Sequence, residues 1–195
     1  MSQPQSQSPA SPGARRALVT GASTGIGEAT VRLLRSHGWD VVATARRVER
    51  LEALAAETGC TWVAADLQRP DDVERLAVEV LAAGDVDAVV NNAGGALGAD
   101  PVADGSPREW LTMYERNVLA ALRVTQAFLP GMRERGGDVV FLTSTAAHDT
   151  YPGGAGYVAA KHGERIIANT LRLELVGEPV RVIEIAPGMV ATSEF

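Results

Sequence analysis

The sequence predicts an α/β protein, one domain built on a doubly wound, parallel β-sheet. Three observations lead there. Short, nearly continuous apolar segments alternate with longer amphipathic ones, the pattern of strands buried on both faces beneath helices. The first apolar segment runs straight into a glycine-rich turn and then a helical pattern, the order in which such sheets open a nucleotide site. A length of 195 residues suits a single domain with a large core. Right-handed crossovers and the doubly wound order follow as the default topology.

The elements read in order. Arg16-Ala17-Leu18-Val19-Thr20 is too short and too β-branched for a helix and forms the first strand. Gly21-Ala22-Ser23-Thr24-Gly25-Ile26-Gly27 follows, with a helix from about residue 28 to residue 36. Further strands are expected over residues 39–45, 61–65, 86–91, 138–143 and 180–186, and helices over 47–57, 71–83, 107–135 and 156–176. Asp71 and Pro107 suit first-turn positions, and Gly59 and Gly84 suit helix exits. Pro130-Gly131 is expected to kink or interrupt the long fourth helix. Residues 1–13, rich in Ser, Gln and Pro, lack both the apolar core of a secretory signal and an arginine-rich amphipathic pattern. They are expected to form a disordered tail, and the absence of an address makes a cytoplasmic location the expectation.

Composition narrows the function. Hydrophobic residues make up 46% and charged ones 22%, ordinary for a globular protein. A net charge of -6 without a basic run argues against nucleic acid or an anionic membrane as partner. No apolar stretch approaches the ~18 residues of a membrane span. Cys60 is the single cysteine, so no intrachain disulfide forms, and His37, His148 and His162 lack metal-ligand spacing.

Three motifs carry chemistry. In the glycine-rich turn, Gly21 allows the tight turn, Gly25 the close approach of backbone to a pyrophosphate, and Gly27 close packing of helix on strand; the helix N-terminus offers N–H groups to phosphate. The strand around Val89 and Val90 ends in Asn91-Asn92-Ala93-Gly94, polar groups at the carboxyl end of a parallel strand, where open α/β sheets bind ligands. Tyr157 and Lys161 stand four residues apart, one helical turn on one face, with Ser144 upstream. A free phenol has a pKa near ~10 and is a poor proton-transfer group at neutral pH; a cation one turn away favours its phenolate. Alone, a Tyr-x-x-x-Lys spacing is most often two surface residues and an Asn-Gly pair most often a turn. Together, in this order, they point to one site.

In these motifs the chain resembles the short-chain dehydrogenases/reductases of the small, single-domain, Rossmann-type kind, over residues 14–195. Thr20-Gly21-x-x-x-Gly25-Ile26-Gly27 is similar to that family's cofactor motif, and Asn91-Asn92-Ala93-Gly94 to its structural motif. Ser144, Tyr157 and Lys161 match its catalytic residues, Asn117 the fourth of them, and Pro187-Gly188-Met189-Val190-Ala191-Thr192 its late Pro-Gly motif. The resemblance implies hydride exchange between a nicotinamide cofactor and a carbonyl or secondary alcohol. Tyr157 would supply the proton, Ser144 would hydrogen-bond the reacting oxygen, and Lys161 would bind the ribose hydroxyls. Asn117 would hold a water that links Lys161 to solvent. Cofactor contacts are implied for Gly21, Ser23, Thr24, Gly25, Ile26 and Gly27, for Asp66 and Leu67 at the adenine, for Asn92, Ala93 and Gly94, and for Pro187, Gly188 and Thr192 at the nicotinamide. Asp66 could also simply cap a turn.

Ala45 stands where an NAD-preferring site usually places an acid, and Arg46 follows at once. A guanidinium holds a 2′-phosphate in a fork. NADP(H) is therefore expected over NAD(H), with Arg46 the main determinant and Arg47 assisting. The substrate is a small carbonyl or alcohol; the last residues resemble the branch that oxidises small 3-hydroxy acids and serine-like alcohols. His148 and Tyr151 are the larger polar side chains of a small-residue loop, with His148 expected to face solvent. The resemblance further implies a homodimer or homotetramer built on the helices over 107–135 and 156–176.

Two other classes share these features. One is a reductase-like, NADP(H)-binding regulator with weak or no turnover, against which the intact Ser144, Tyr157 and Lys161 argue. The other is an epimerase or dehydratase of the same superfamily, whose larger substrate domain has no counterpart here. Members of the family usually continue beyond the Pro-Gly motif into a substrate loop, its helices and a last strand. The chain stops at Phe195, where that loop should begin, and a truncated version of a longer protein is expected over a genuine short variant. The sixth strand would then be an apolar edge, and a lid over the nicotinamide would be lacking, so turnover is expected to be weak.

Overall fold

A computed structural model describes residues 13–192; the expected tail over residues 1–13 lies outside the described residues except for Gly13. The sheet has six strands in the order β3-β2-β1-β4-β5-β6, all parallel. They are β1 (Arg16–Thr20), β2 (Asp40–Ala45), β3 (Thr61–Ala64), β4 (Ala88–Asn91), β5 (Gly137–Leu142) and β6 (Val180–Ile185). The helices are α1 (Gly25–Ser36), α2 (Val48–Thr58), α3 (Pro70–Ala82), α4 (Pro107–Tyr114), α5 (Ala120–Arg135) and α6 (Ala155–Glu174). Because the strands are parallel, every βα turn emerges at one edge, and the order reverses between β1 and β4. That switch point is where doubly wound sheets open a crevice.

Two cores flank the sheet. Val19, Val41, Ala43, Val31, Leu51 and Leu54 join α1 and α2 to one face, and Leu18, Val89, Val139 and Phe141 meet α3, α5 and α6 on the other. Phe141 is fully buried there. β5 and β6 are pinned at their start by Asp138, which accepts from Arg181 at 2.6 and 2.9 Å and from Arg15 at 2.8 Å. These guanidiniums, Arg181 foremost, hold the Asp138 carboxyl below its ordinary range. Among the described residues β6 is the last strand of the sheet, with Ile183 and Ile185 exposed.

The expected elements all form, with ends displaced by at most three residues. The fourth helix differs in kind. It does not break at Pro130, which lies inside the continuous α5. Proline removes a single donor there, and both Pro130 and Gln126, whose carbonyl loses its partner, are exposed to water. The irregularity falls earlier, where Glu115–Leu119 forms a widened π-helical turn between α4 and α5. Such turns often mark functional segments, and this one carries Asn117.

Candidate active site

The site begins with Thr20 at the end of β1. Its Oγ1 donates to the Val90 carbonyl (3.1 Å) and accepts from the N–H groups of Asn92 and Ala93 (2.9 Å each). The Asn92 amide returns two donations, to the carbonyls of Thr20 (2.8 Å) and Gly21 (3.3 Å). The switch point is thus stapled by side chains rather than by strand pairing alone. Gly25 turns the chain into α1 at φ +56°, in the left-handed region. At Gly27 a Cβ would overlap the Gly21 carbonyl and the Asn92 amide. Backbone therefore lies against backbone, leaving the cradle that a phosphate group needs.

Beside this turn, Arg46 and Arg47 are both exposed at the end of β2. Arg47 reaches back: its Nε and Nη2 donate to Ser23 Oγ (3.3 and 3.1 Å), and Nη2 donates to Thr24 Oγ1 (3.2 Å). The arginine ranked second by the sequence is thus the one joined to the glycine-rich turn. Asp66, after β3, accepts from the Gln68 N–H at 3.1 Å and shapes its own turn, and Leu67 is buried. Thr192 lies across the glycine-rich turn, its Cγ2 3.4 Å from where a Gly25 Cβ would stand. The Pro187 carbonyl accepts from the Thr145 N–H at 3.0 Å. The Pro-Gly segment so bridges the turn after Ser144 and the turn after β1.

Ser144 follows β5 and caps a short 3₁₀ turn, Thr145–Ala147, its Oγ accepting from the Ala146 N–H at 3.1 Å. Arg165 on α6 donates to the Ala147 carbonyl at 3.4 Å and ties this turn to the helix. Tyr157 and Lys161 stand one turn apart on α6, with the Lys161 Nζ 6.0 Å from the Tyr157 ring centre. Lys161 is buried and donates to the Leu142 carbonyl (3.0 Å) and to Glu164 Oε2 (2.6 Å). Glu164 is itself fully buried. Desolvation pushes its carboxyl up to about 7 against the attraction of Lys161.

Asn117 is completely buried in the π turn. Its amide donates to the carbonyls of Gly95 (3.0 Å) and Met113 (2.8 Å), and its Oδ1 accepts from the Gly95 N–H (2.9 Å). It clamps the loop after β4 onto the helix. A Cβ on Gly94 would lie 2.5 Å from Asn117 Oδ1 and 3.3 Å from Lys161 Nζ. The fold thus brings Asn117, Gly94 and Lys161 together.

Beside Tyr157 is a narrow cavity of about 40 Å³, lined by Leu97, Trp110, Met113, Tyr151 and Gly154 among others. Tyr151 closes over Gly154, where a Cβ would run into its ring, and burial raises its phenol. His148 is exposed, as expected, with Nε2 3.2 Å from Glu184 on β6 rather than in the cavity. Trp110, which lines the cavity, and Glu164, which accepts from Lys161, are parts of the site that the sequence motifs do not include. For Glu164 a signal existed: Tyr157, Lys161, Glu164, Ala168 and Leu171 recur at helical spacing on one face, which places a charge on a buried stripe.

Among the described residues no group of His, Cys, Asp and Glu is placed to hold a metal ion, and no helix is long and apolar enough to cross a membrane. The architecture defines a dinucleotide-binding α/β protein, with the glycine-rich turn at its switch point. The chain belongs to the short chain dehydrogenase family, whose model matches residues 15–195, and is an oxidoreductase of that family. It is 52% identical over 179 residues to an uncharacterized oxidoreductase of Mycobacterium tuberculosis, covering 91% of this chain and 70% of that one. It is 43% identical over 179 residues to the serine 3-dehydrogenase of Agrobacterium fabrum, covering 90% and 72%. Among solved structures, the closed form of a serine dehydrogenase complexed with NADP+ superimposes with a TM-score of 0.88 at 38% identity, covering 91% of this chain and 73% of the other.

Proposed function

We propose that this protein interconverts a secondary alcohol and a carbonyl compound with NADP(H), Tyr157 acting as acid and base. The observation that carries the reading is the placement of Tyr157 and Lys161 on one face of α6, beside a cavity and at the sheet edge that holds the glycine cradle. The cradle fits a dinucleotide: Gly25 takes the left-handed turn at φ +56°, and at Gly27 backbone packs directly on the Gly21 carbonyl, which brings the α1 N-terminus up to the turn. When bound, NADP(H) supplies hydride to the carbonyl carbon or takes it from the alcohol carbon. Tyr157 Oη gives a proton to the oxygen that becomes the alcohol, or removes it in the reverse direction. Ser144 Oγ hydrogen-bonds the same oxygen as charge develops on it. Lys161 serves the ribose hydroxyls, and Asn117 sets the Gly94-Gly95 backbone against that position. Pro187, Gly188 and Thr192 border the nicotinamide end.

The small cavity and the likeness to serine dehydrogenases support a small, serine-like 3-hydroxy acid as the alcohol. Leu111, Tyr114, Ile166 and Leu173 are exposed on α4 and α6, apolar side chains suited to pairing two copies into a homodimer. Cofactor choice is testable directly. Hydrogen bonds to charged groups contribute about 1.5–3 kcal/mol, so the chain is expected to bind NADPH roughly 10- to 100-fold more tightly than NADH. Replacing Arg46 and Arg47 together by Ser should bring the two affinities level. Equal kcat/KM with both cofactors in the unsubstituted chain would remove the arginine assignment.

A further inference from the structure

Glu164 has no part in the chemistry just described, yet it holds the residue that does. Its Oε2 accepts from Lys161 Nζ at 2.6 Å, while Oε1 is buried with no hydrogen-bond partner. A carboxylate oxygen without a partner in a dry site is costly as an anion and far less so as an acid. The charged groups around it do little to relieve this. Glu184, on β6, adds repulsion. Arg165 on α6 and His148 after the 3₁₀ turn face Glu184 instead, at 3.8 and 3.2 Å. Leu142 offers Lys161 a carbonyl (3.0 Å), and the Asn117 amide is taken up by Gly95 and Met113. Lys161 is therefore the main charge that keeps Glu164 ionised.

We propose that Glu164 is a positioning residue that docks the Lys161 ammonium in the cofactor-free protein and takes up a proton as that ammonium turns to NADP(H). The inference rests on the reading of this crevice as an NADP(H) site. The proton comes from solvent and lodges on the Glu164 carboxyl; only this O–H bond forms, and the ammonium is unchanged. The sign follows from the burial that already raises the carboxyl to about 7. Once Lys161 departs, its opposing attraction goes and the carboxyl rises further, so binding at mildly alkaline pH consumes a proton. Cofactor affinity should then weaken above about pH 7, by as much as about tenfold per pH unit.

Calorimetric titration with NADPH near about pH 8, in two buffers of different ionisation heat, reads the proton count directly. The Glu164→Gln variant keeps the side-chain shape, and its cofactor phosphate titrates as in the parent, so the difference between the two isolates Glu164. The expected result is an uptake greater by up to about one proton in the parent, with a steeper loss of affinity as pH rises. Equal proton uptake and equal pH slopes, with binding intact, would overturn the Glu164 assignment alone. Failure of both folded forms to bind NADPH would overturn the site reading instead. Should Glu164→Gln not fold, infrared difference spectra of the parent still decide the matter. A protonated-carboxyl band that grows when NADPH is added at alkaline pH supports the proposal, and no such band refutes it.

Discussion

Replacing Tyr157 by Phe is expected to lower kcat by about 10²–10⁴-fold, the usual contribution of a positioned acid or base, while NADPH affinity stays within about twofold. The substitution deletes one oxygen and leaves the ring, which is half-buried and packs against the cluster of Met113, Val118 and Ala160. Neither the glycine cradle nor the Thr20 and Asn92 staple touches that oxygen. A fall in kcat without a fall in binding separates a proton-transfer role from a structural one. Steady-state kinetics beside fluorescence titration of NADPH provide the test. If more than a few per cent of the parent rate survives, Tyr157 is not the acid and base.

Gly27→Val should have the second-largest effect, a loss of NADPH affinity of more than about 100-fold, together with about 1–3 kcal/mol of stability. Its first added carbon would meet the Gly21 carbonyl and the Asn92 amide nitrogen. The first is backbone and cannot turn aside. The second is held by the carbonyls of Thr20 and Gly21. Relief therefore requires α1 to retreat from β1, opening the cradle and pulling the α1 N-terminus away from the phosphates. Denaturant melts and NADPH titration on one sample measure both losses. A stable variant that binds NADPH normally would mean that close helix–strand packing does not build the cofactor site.

Where local pattern alone sets the backbone, the sequence is easily read. Apolar runs such as Leu18-Val19 and Val41-Val42 are strands because a sheet buried on both faces leaves no polar positions to fill. The glycines of the first turn, the Asn92 region and the Tyr157–Lys161 spacing fall on turns and a helix that those strands fix in space. Other features depend on contacts between distant segments. The π turn around Asn117 answers to the Gly95 backbone, 22 residues away, and no local signal marks it. Pro130 suggested a break because the exposure of its helix face cannot be read from one residue. Arg46 and Arg47 are chemically alike, and only the path of the chain at the end of β2 decides which reaches Ser23 and Thr24. The cavity walls, Leu97, Trp110 and Tyr151, come from three segments whose meeting no spacing announces.

The central claim is hydride exchange between NADP(H) and a small alcohol or carbonyl compound, and nicotinamide absorbance reports on it most directly. The 195-residue chain is to be mixed with NADP+ and serine-like 3-hydroxy acids, and in the reverse direction with NADPH and small carbonyl compounds, each beside Tyr157→Phe. A change in nicotinamide absorbance is expected with at least one member of the panel, faster with NADP(H) than with NAD(H) and lost in Tyr157→Phe. Tight NADPH binding with no absorbance change against any of them, or a rate that Tyr157→Phe retains, would contradict it.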